Sequence, residues 1–174
     1  ITLAAPTRKN YVEGETELDL SGLKVSLNYN RETISQYYDT ADWEDKDFTV
    51  EVTDYTISEI NQKILDSEQY ILVTVTRAGE EYRGVFPIIL ESKKVESLNL
   101  TAPRYAYTEG ETRLDLTGLE VTANSSNAPS ELVTDYVVYE REFDPTLLDV
   151  EQNITVSYTH AGVSASATFP VPRK

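Results

Sequence analysis

The stretch Tyr11-Val-Glu-Gly-Glu-Thr-Glu-Leu-Asp-Leu-Ser-Gly-Leu-Lys-Val-Ser-Leu-Asn28 returns as Tyr107-Thr-Glu-Gly-Glu-Thr-Arg-Leu-Asp-Leu-Thr-Gly-Leu-Glu-Val-Thr-Ala-Asn124. Twelve of the eighteen positions are identical at a constant offset of 96, and most of the others are exchanges such as Ser for Thr or Lys for Glu. Self-similarity this close makes the chain two copies of one small unit rather than a single domain of 174 residues. The correspondence runs further. Ile1-Thr-Leu-Ala-Ala-Pro6 matches Leu98-Asn-Leu-Thr-Ala-Pro103, and Val52-Thr-Asp-Tyr55 matches Val133-Thr-Asp-Tyr136 at an offset of 81. Thr76-Arg-Ala-Gly79 matches Thr159-His-Ala-Gly162, and Phe86-Pro87 matches Phe169-Pro170, both at 83. The fall from 96 to 81 gives the first copy about fifteen additional residues between Asn28 and Val52. The join falls at Glu91-Ser-Lys-Lys-Val95, which predicts domains over 1–92 and 93–174. It is short and has neither Gly nor Pro, so a stiff connection is expected.

Within each copy the apolar period is two. Val25, Leu27 and Tyr29 alternate with Lys24, Ser26 and Asn28; Ile71, Val73 and Val75 alternate with Leu72, Thr74 and Thr76; Ile154, Val156 and Tyr158 alternate with Thr155, Ser157 and Thr159. One apolar and one polar face describes half-buried antiparallel strands, and Val, Ile, Thr and Tyr suit a pleated surface. Ala78-Gly79 and Ala161-Gly162 read as hairpin tips. Pro87 and Pro170 each remove a ladder donor from the strand that follows, which predicts an edge or bulge position. Short strands with turn signals about every ten residues predict an all-β fold of two tandem sandwiches. The one helical pattern is Ser58–Asp66, with Ile60, Ile64 and Leu65 at i, i+4 and i+5. It predicts a turn or two of helix, or a loop with buried anchors. Leu18, Leu20 and Leu23, with Leu114, Leu116 and Leu119, are expected core anchors. Gly14 and Gly110 are expected to permit turns, and Gly22 and Gly118 to mark a bulge or kink. Asp19 and Asp115 lie between leucines and are expected to cap turns rather than ligate metal.

Composition narrows the function classes. The net charge is −15, from 30 acidic and 15 basic residues, and the first 92 residues alone carry 18 acidic against 8 basic side chains. A polyanion is repelled by such a surface, so neither nucleic acid nor an anionic membrane is an expected partner. Apolar runs fall short of the ~20 residues that cross a bilayer, so no direct membrane insertion is expected. Without cysteine there is no disulfide framework, thiol catalysis or thiolate metal site. A chain that begins at Ile1 and contains no Met suggests a segment of a longer processed protein, monomeric, with any export signal or anchor outside it.

The pattern Ala-Pro, then Tyr-x-x-Gly-Glu, then Leu-Asp-Leu-(Ser/Thr)-Gly-Leu-x-Val resembles the bacterial immunoglobulin-like domains of the type 3 group, found in tandem on surface and secreted proteins of Gram-positive bacteria. The later Asp-Tyr, the Val-Thr-Val or Val-Ser-Tyr strand and the closing Phe-Pro strand also fit. The resemblance covers nearly all of 93–174 and, in the first copy, 1–29 and 50–91. It implies a cysteine-free immunoglobulin-like sandwich serving as spacer, stalk or adhesion module in an extracellular setting, at the bacterial cell surface or secreted. It brings no catalytic set and no cofactor.

The residues themselves offer little chemistry. Nucleophilic catalysis needs an activating base beside the nucleophile. The sole histidine, His160, stands at a hairpin tip where the first copy has Arg77, a solvated position. Gly14-Glu-Thr and Gly110-Glu-Thr lack the spacing and lysine of a phosphate loop. No enzyme activity is expected. The segment that breaks the repeat, around 30–48, says more: it holds Tyr37, Tyr38 and Trp43 among Asp39, Asp42, Glu44, Asp45 and Asp47. Aromatics beside acids suit a cell-wall or host glycan, or a protein, with Tyr37, Tyr38 and Trp43 as candidate contacts. The same carboxylates could hold calcium, although the glycine and terminal glutamate of an EF-hand loop are missing. The plainest alternative is that the rings pin the extra loop to its sandwich. The expected function is a stiff, non-catalytic spacer or adhesion segment. A carbohydrate- or protein-binding accessory module of a secreted enzyme is the alternative.

Overall fold

A computed structural model of the chain describes residues 1–29, 48–103, 106–147 and 149–171. The fold is all-β, and it divides into two compact units, Ile1–Ser92 and Lys93–Lys174.

In unit 1, β1 (Thr2–Ala4), β3 (Lys24–Tyr29) and β4 (Phe48–Val52) form one antiparallel sheet in the order β1-β3-β4. The other sheet runs β2-β7-β6-β5, from β2 (Asn10–Val12), β5 (Thr56–Ile57), β6 (Glu68–Arg77) and β7 (Glu80–Glu91). It is antiparallel except for β2, which pairs parallel to β7. The core lies between the sheets: Val25, Leu27 and Val52 from the first meet Ile71, Val73, Val75, Phe86, Ile88 and Leu90 from the second. The two-residue period is therefore realised as a face-to-face sandwich.

Unit 2 repeats the plan. One sheet is β10-β9-β8, from β8 (Val95–Thr101), β9 (Glu120–Ser125) and β10 (Glu131–Val133). The other is β11-β12-β13, from β11 (Val137–Val138), β12 (Gln152–His160) and β13 (Val163–Val171). Val121 and Ala123 face Ile154, Val156, Tyr158, Phe169 and Val171 across the core.

Each long hairpin closes over Ala-Gly: Arg77 pairs with Glu80 and His160 with Val163. Both tip residues are left-handed in each case, φ 52° and 82° at Ala78-Gly79, 47° and 79° at Ala161-Gly162, the turn whose twist matches the strands it joins. Pro170 lies on β13, which has β12 as its only neighbour in that sheet among the described residues. Pro87 is not on an edge strand. It lies just before β2 joins β7 at Ile89, whose N–H donates to Lys9, so the missing donor falls on a side not yet paired.

One further expectation changes. Gly22 and Gly118 form neither a bulge nor a kink: with φ of 86° and 87° they sit inside turns closed by Leu23 N–H to Leu20 and Leu119 N–H to Leu116. Of the two readings offered for Ser58–Asp66, the loop with a buried anchor is the one realised. Ile60 is its buried anchor, as Phe143 is in unit 2, while Ile64 is exposed. The one helical element among the described residues is the short 3₁₀ turn Glu140–Glu142. Its three residues take in the two by which unit 2 is longer here, where the offset rises from 81 to 83.

Candidate functional site

The shared motif builds a lock in each unit. Tyr11 and Tyr107 are almost completely buried, yet each ring ends in a satisfied hydroxyl. Tyr11 Oη accepts the Asp19 N–H at 3.0 Å and Tyr107 Oη accepts the Asp115 N–H at 2.7 Å, tying the motif loop back across eight residues. The carboxylates cap the next turn: Asp19 Oδ1 accepts from the Ser21 N–H and Asp115 Oδ1 from the Thr117 N–H, each at 3.0 Å. The Ser21 side chain, and after it the Ser21 N–H, holds the Asp19 carboxyl below its ordinary pKa by hydrogen bonding. Glu15 and Glu111 close the turns at Gly14 and Gly110 by accepting the Val12 and Thr108 N–H groups. Glu15 also grips Arg8 through both oxygens at 2.8 Å, and the pairing, ahead of the Val12 bond, lowers its pKa. These groups have partners that account for them as fold-holding residues.

A second repeated lock carried no sequence signal beyond identity at one position. Gln69 and Gln152 are the buried glutamines of β6 and β12. Gln69 accepts the Asn61 N–H at 2.9 Å and donates to the Asn61 and Ile64 carbonyls; Gln152 accepts the Asp144 N–H at 2.6 Å and donates to the Asp144 carbonyl at 2.8 Å. Each side chain replaces the missing ladder partners of a loop crossing the end of the sandwich.

The residues singled out in the sequence as contacts, Tyr37, Tyr38 and Trp43, lie outside the described residues, as do Asp39, Asp42, Glu44, Asp45 and Asp47. What is described is the frame from which that segment departs. Tyr29 pairs with Phe48 at the end of the β3–β4 hairpin, the two strands that lead into and out of it. Asn28 bridges three strands on the outer surface, donating to Thr2 and accepting from Thr49. In unit 2 Asn124 likewise donates to Ser97 on β8 and accepts from Ser130, the residue before β10.

Among the described residues the units differ clearly on the outer face of the long hairpin. In unit 2 that face is polar: Asn153, Thr155, Ser157 and Thr159 on β12 stand beside Pro170, Thr168, Ser166 and Ser164 on β13. At the corresponding positions unit 1 has Tyr70 and Leu72 on β6 beside Pro87 and Val85 on β7, with Ile89 next to Glu68. Tyr70 is 60% exposed and Val85 53%. The Tyr70 hydroxyl donates to the Glu68 carboxylate, which raises the tyrosine pKa. Toward the hairpin tip the face becomes charged, with Arg83 paired to Glu81 at 2.6 Å. Sequence reasoning passed over this patch because Leu72 and Val85 read as ordinary strand residues. The signal was their replacement by threonine in the other copy.

Among the described residues no group of three or more His, Asp or Glu side chains is placed to hold a metal ion. His160 is half-buried and its ring stacks on Tyr158 at 6.3 Å, while its counterpart Arg77 forms an ion pair with Asp54. No helix is long and apolar enough to cross a membrane, again among the described residues. No protein-family model matches the chain, and no curated protein matches it.

Proposed function

We propose that the chain is a non-catalytic tandem immunoglobulin-like segment of a bacterial surface or secreted protein, acting as a stiff extracellular spacer. The observation that carries this reading is the way the connecting residues are held. The Glu91 carbonyl accepts from the Glu13 N–H within unit 1. Ser92 follows, its N–H and hydroxyl both bonded to the Asp66 carboxylate at 2.9 and 2.6 Å. The next residue already belongs to unit 2: Lys93 Nζ reaches Glu131 at 2.9 Å. The Lys94 N–H donates to Asn127 at 2.8 Å, and its carbonyl accepts from the Ser126 N–H. Val95 is buried. Each residue from 91 to 95 thus has a bond or a buried side chain within its own unit, which supports the spacer reading. Cores and hydrogen-bond locks would supply stability without disulfide or metal, and the acidic surface would supply solubility. Small-angle scattering tests the reading. A largest dimension of roughly 70–80 Å, from about 35–40 Å per sandwich, is expected, and a compact side-by-side envelope contradicts it.

A second reading, a glycan- or protein-binding accessory module, is favoured by the apolar outer face of β6 and β7, which unit 2 lacks. That surface and the segment with Tyr37, Tyr38 and Trp43 both belong to unit 1, so ligand contact would fall there. A glycan array together with titration of the Trp43 fluorescence tests it. Binding that survives loss of the 30–47 segment would transfer the contact to the hairpin face.

A further inference from the structure

We infer that the outer face of β6 and β7 in unit 1 pairs with the same face of a second copy of this chain, the facing strands running antiparallel. The contact does not depend on the spacer reading. It starts from strand register. On that face the cross-strand pairs follow one another as Glu68 with Ile89, Tyr70 with Pro87, Leu72 with Val85 and Thr74 with Arg83. Tyr70, Val85 and Ile89 are exposed, and Leu72 and Pro87 are half-buried. The face therefore has an apolar middle, a carboxylate toward one end and a guanidinium toward the other.

That order is self-complementary. A two-fold axis across the strands, between the Tyr70 and Leu72 rows, turns the series end for end. Tyr70 and Pro87 of each copy then meet Leu72 and Val85 of the other, and Glu68 of each comes beside Arg83 of the other. A parallel arrangement would set Glu68 near Glu68 and Arg83 near Arg83, so charge selects the antiparallel one. Glu68 already accepts the Tyr70 hydroxyl and Arg83 already holds Glu81. Both can keep these bonds, because a carboxylate accepts about four hydrogen bonds and a guanidinium donates about five. In unit 2 Asn153, Thr155 and Thr168 stand in place of Tyr70, Leu72 and Val85, and Ser166 in place of Arg83, so the contact is a property of unit 1. The rows from Glu68 to Thr74 cover about 20 Å along the strands and, with β2 and β5, about 20 Å across, roughly 800 Å² for two copies. That area belongs to weak, transient contacts rather than stable dimers. The charge of −15 on each chain opposes it further at low salt.

Sedimentation equilibrium of the whole chain at about 0.15 M salt tests the pairing, over concentrations from about 10 μM to about 1 mM. A reversible dimer with a dissociation constant of about 0.1–1 mM is expected, and a chain still monomeric at the upper concentration overturns the inference. Arg83→Glu and Glu68→Arg should each weaken the dimer roughly tenfold, since each pair occurs twice by symmetry. The two exchanges together should restore it, and failure to do so overturns the antiparallel pairing. Replacing Tyr70, Leu72 and Val85 by Asn, Thr and Thr should leave only monomer. A dimer that persists in that variant places the contact elsewhere and sinks the inference. A monomeric chain that binds a glycan through this face overturns it in favour of the accessory-module reading. Scattering at low concentration, which tests the spacer reading, is unaffected by any of these results.

Discussion

The two units are built to the same plan and finished differently, and the differences separate what the fold requires from what one copy adds. Tyr11 and Tyr107, Asp19 and Asp115, Gln69 and Gln152 occupy matching places and make matching bonds. Where the copies diverge, the same need is met by other means. The β6 Leu72 N–H is taken by the Ser58 hydroxyl, whereas the corresponding Thr155 N–H is taken by Glu142 from the 3₁₀ turn. Gln62 docks on the Gly14 turn in unit 1 at a position that unit 2 fills with Pro145. Such exchanges preserve structure. The apolar face of Tyr70, Leu72 and Val85 has no counterpart on β12 and β13, where Asn153, Thr155 and Thr168 stand.

The comparison breaks most sharply in the cores. Phe86→Ala and Phe169→Ala remove equivalent buried rings, and each is expected to cost about 3–5 kcal/mol in its own unit. Chemical denaturation followed by NMR should show only the altered unit unfolding early. Loss of both together would mean that the units do not fold independently. The tyrosine locks come next. Tyr11→Phe or Tyr107→Phe leaves the Asp19 or Asp115 N–H without its acceptor, an expected loss of about 1–3 kcal/mol in the urea midpoint analysis. A neutral substitution in either copy would show that the shared tyrosine is retained for packing alone.

Close packing gives a one-sided prediction. A Cβ at Gly84 would meet Leu3 Cδ1 at 2.8 Å, whereas unit 2 has Ala167 at the same point of β13. Gly84→Ala should therefore lower the melting temperature of unit 1, by an amount equivalent to about 1 kcal/mol, despite bringing the copies closer in sequence. At the hairpin tips, Ala78→Asn and Ala161→Asn relieve alanines held left-handed and should each raise stability by about 0.5–1 kcal/mol. A gain in one copy only would show that the tips are not equivalent.

The smallest effects lie at the surface. Replacing Tyr70, Leu72 and Val85 by Asn, Thr and Thr gives unit 1 the face of unit 2, with stability expected to stay within about 0.5 kcal/mol per substitution. Any ligand affinity of that face should disappear. Acid should weaken unit 1 through its held carboxyls. Asp54 is lowered chiefly by its hydrogen bond with Arg77, Glu15 by Arg8 and Asp19 by Ser21. A depressed carboxyl stabilises fully above its unfolded value near 4 and loses that contribution as pH falls through the folded value. A decline of unit 1 stability below about pH 4, weakened in Arg77→Gln, is the expected result. An unchanged acid limb in that variant removes Asp54 from the explanation.

Much of the architecture was legible because period-two burial and Gly-bearing turns are local signals. Val73, Val75, Ile154 and Val156 are buried where alternation puts them, and Asp19 and Asp115 cap turns. Gly22 was misread because a bulge and a tight turn ask the same thing of a residue, positive φ, and only the bond from Leu23 to Leu20 distinguishes them. The glutamine locks were not legible, since the partners of Gln69 are main-chain groups whose positions depend on the whole loop. The hairpin face emerges only when strand register puts Tyr70 beside Pro87 and Leu72 beside Val85. Tyr37, Tyr38 and Trp43 were named from composition, and they lie outside the described residues.

The proposed spacer role turns on the residues that join the copies. Backbone ¹⁵N relaxation across Glu91–Val95 tests it most directly. The account predicts order parameters of about 0.85 through the join, equal to those of β6 and β12, and values below about 0.6 at Ser92, Lys93 and Lys94 would contradict it.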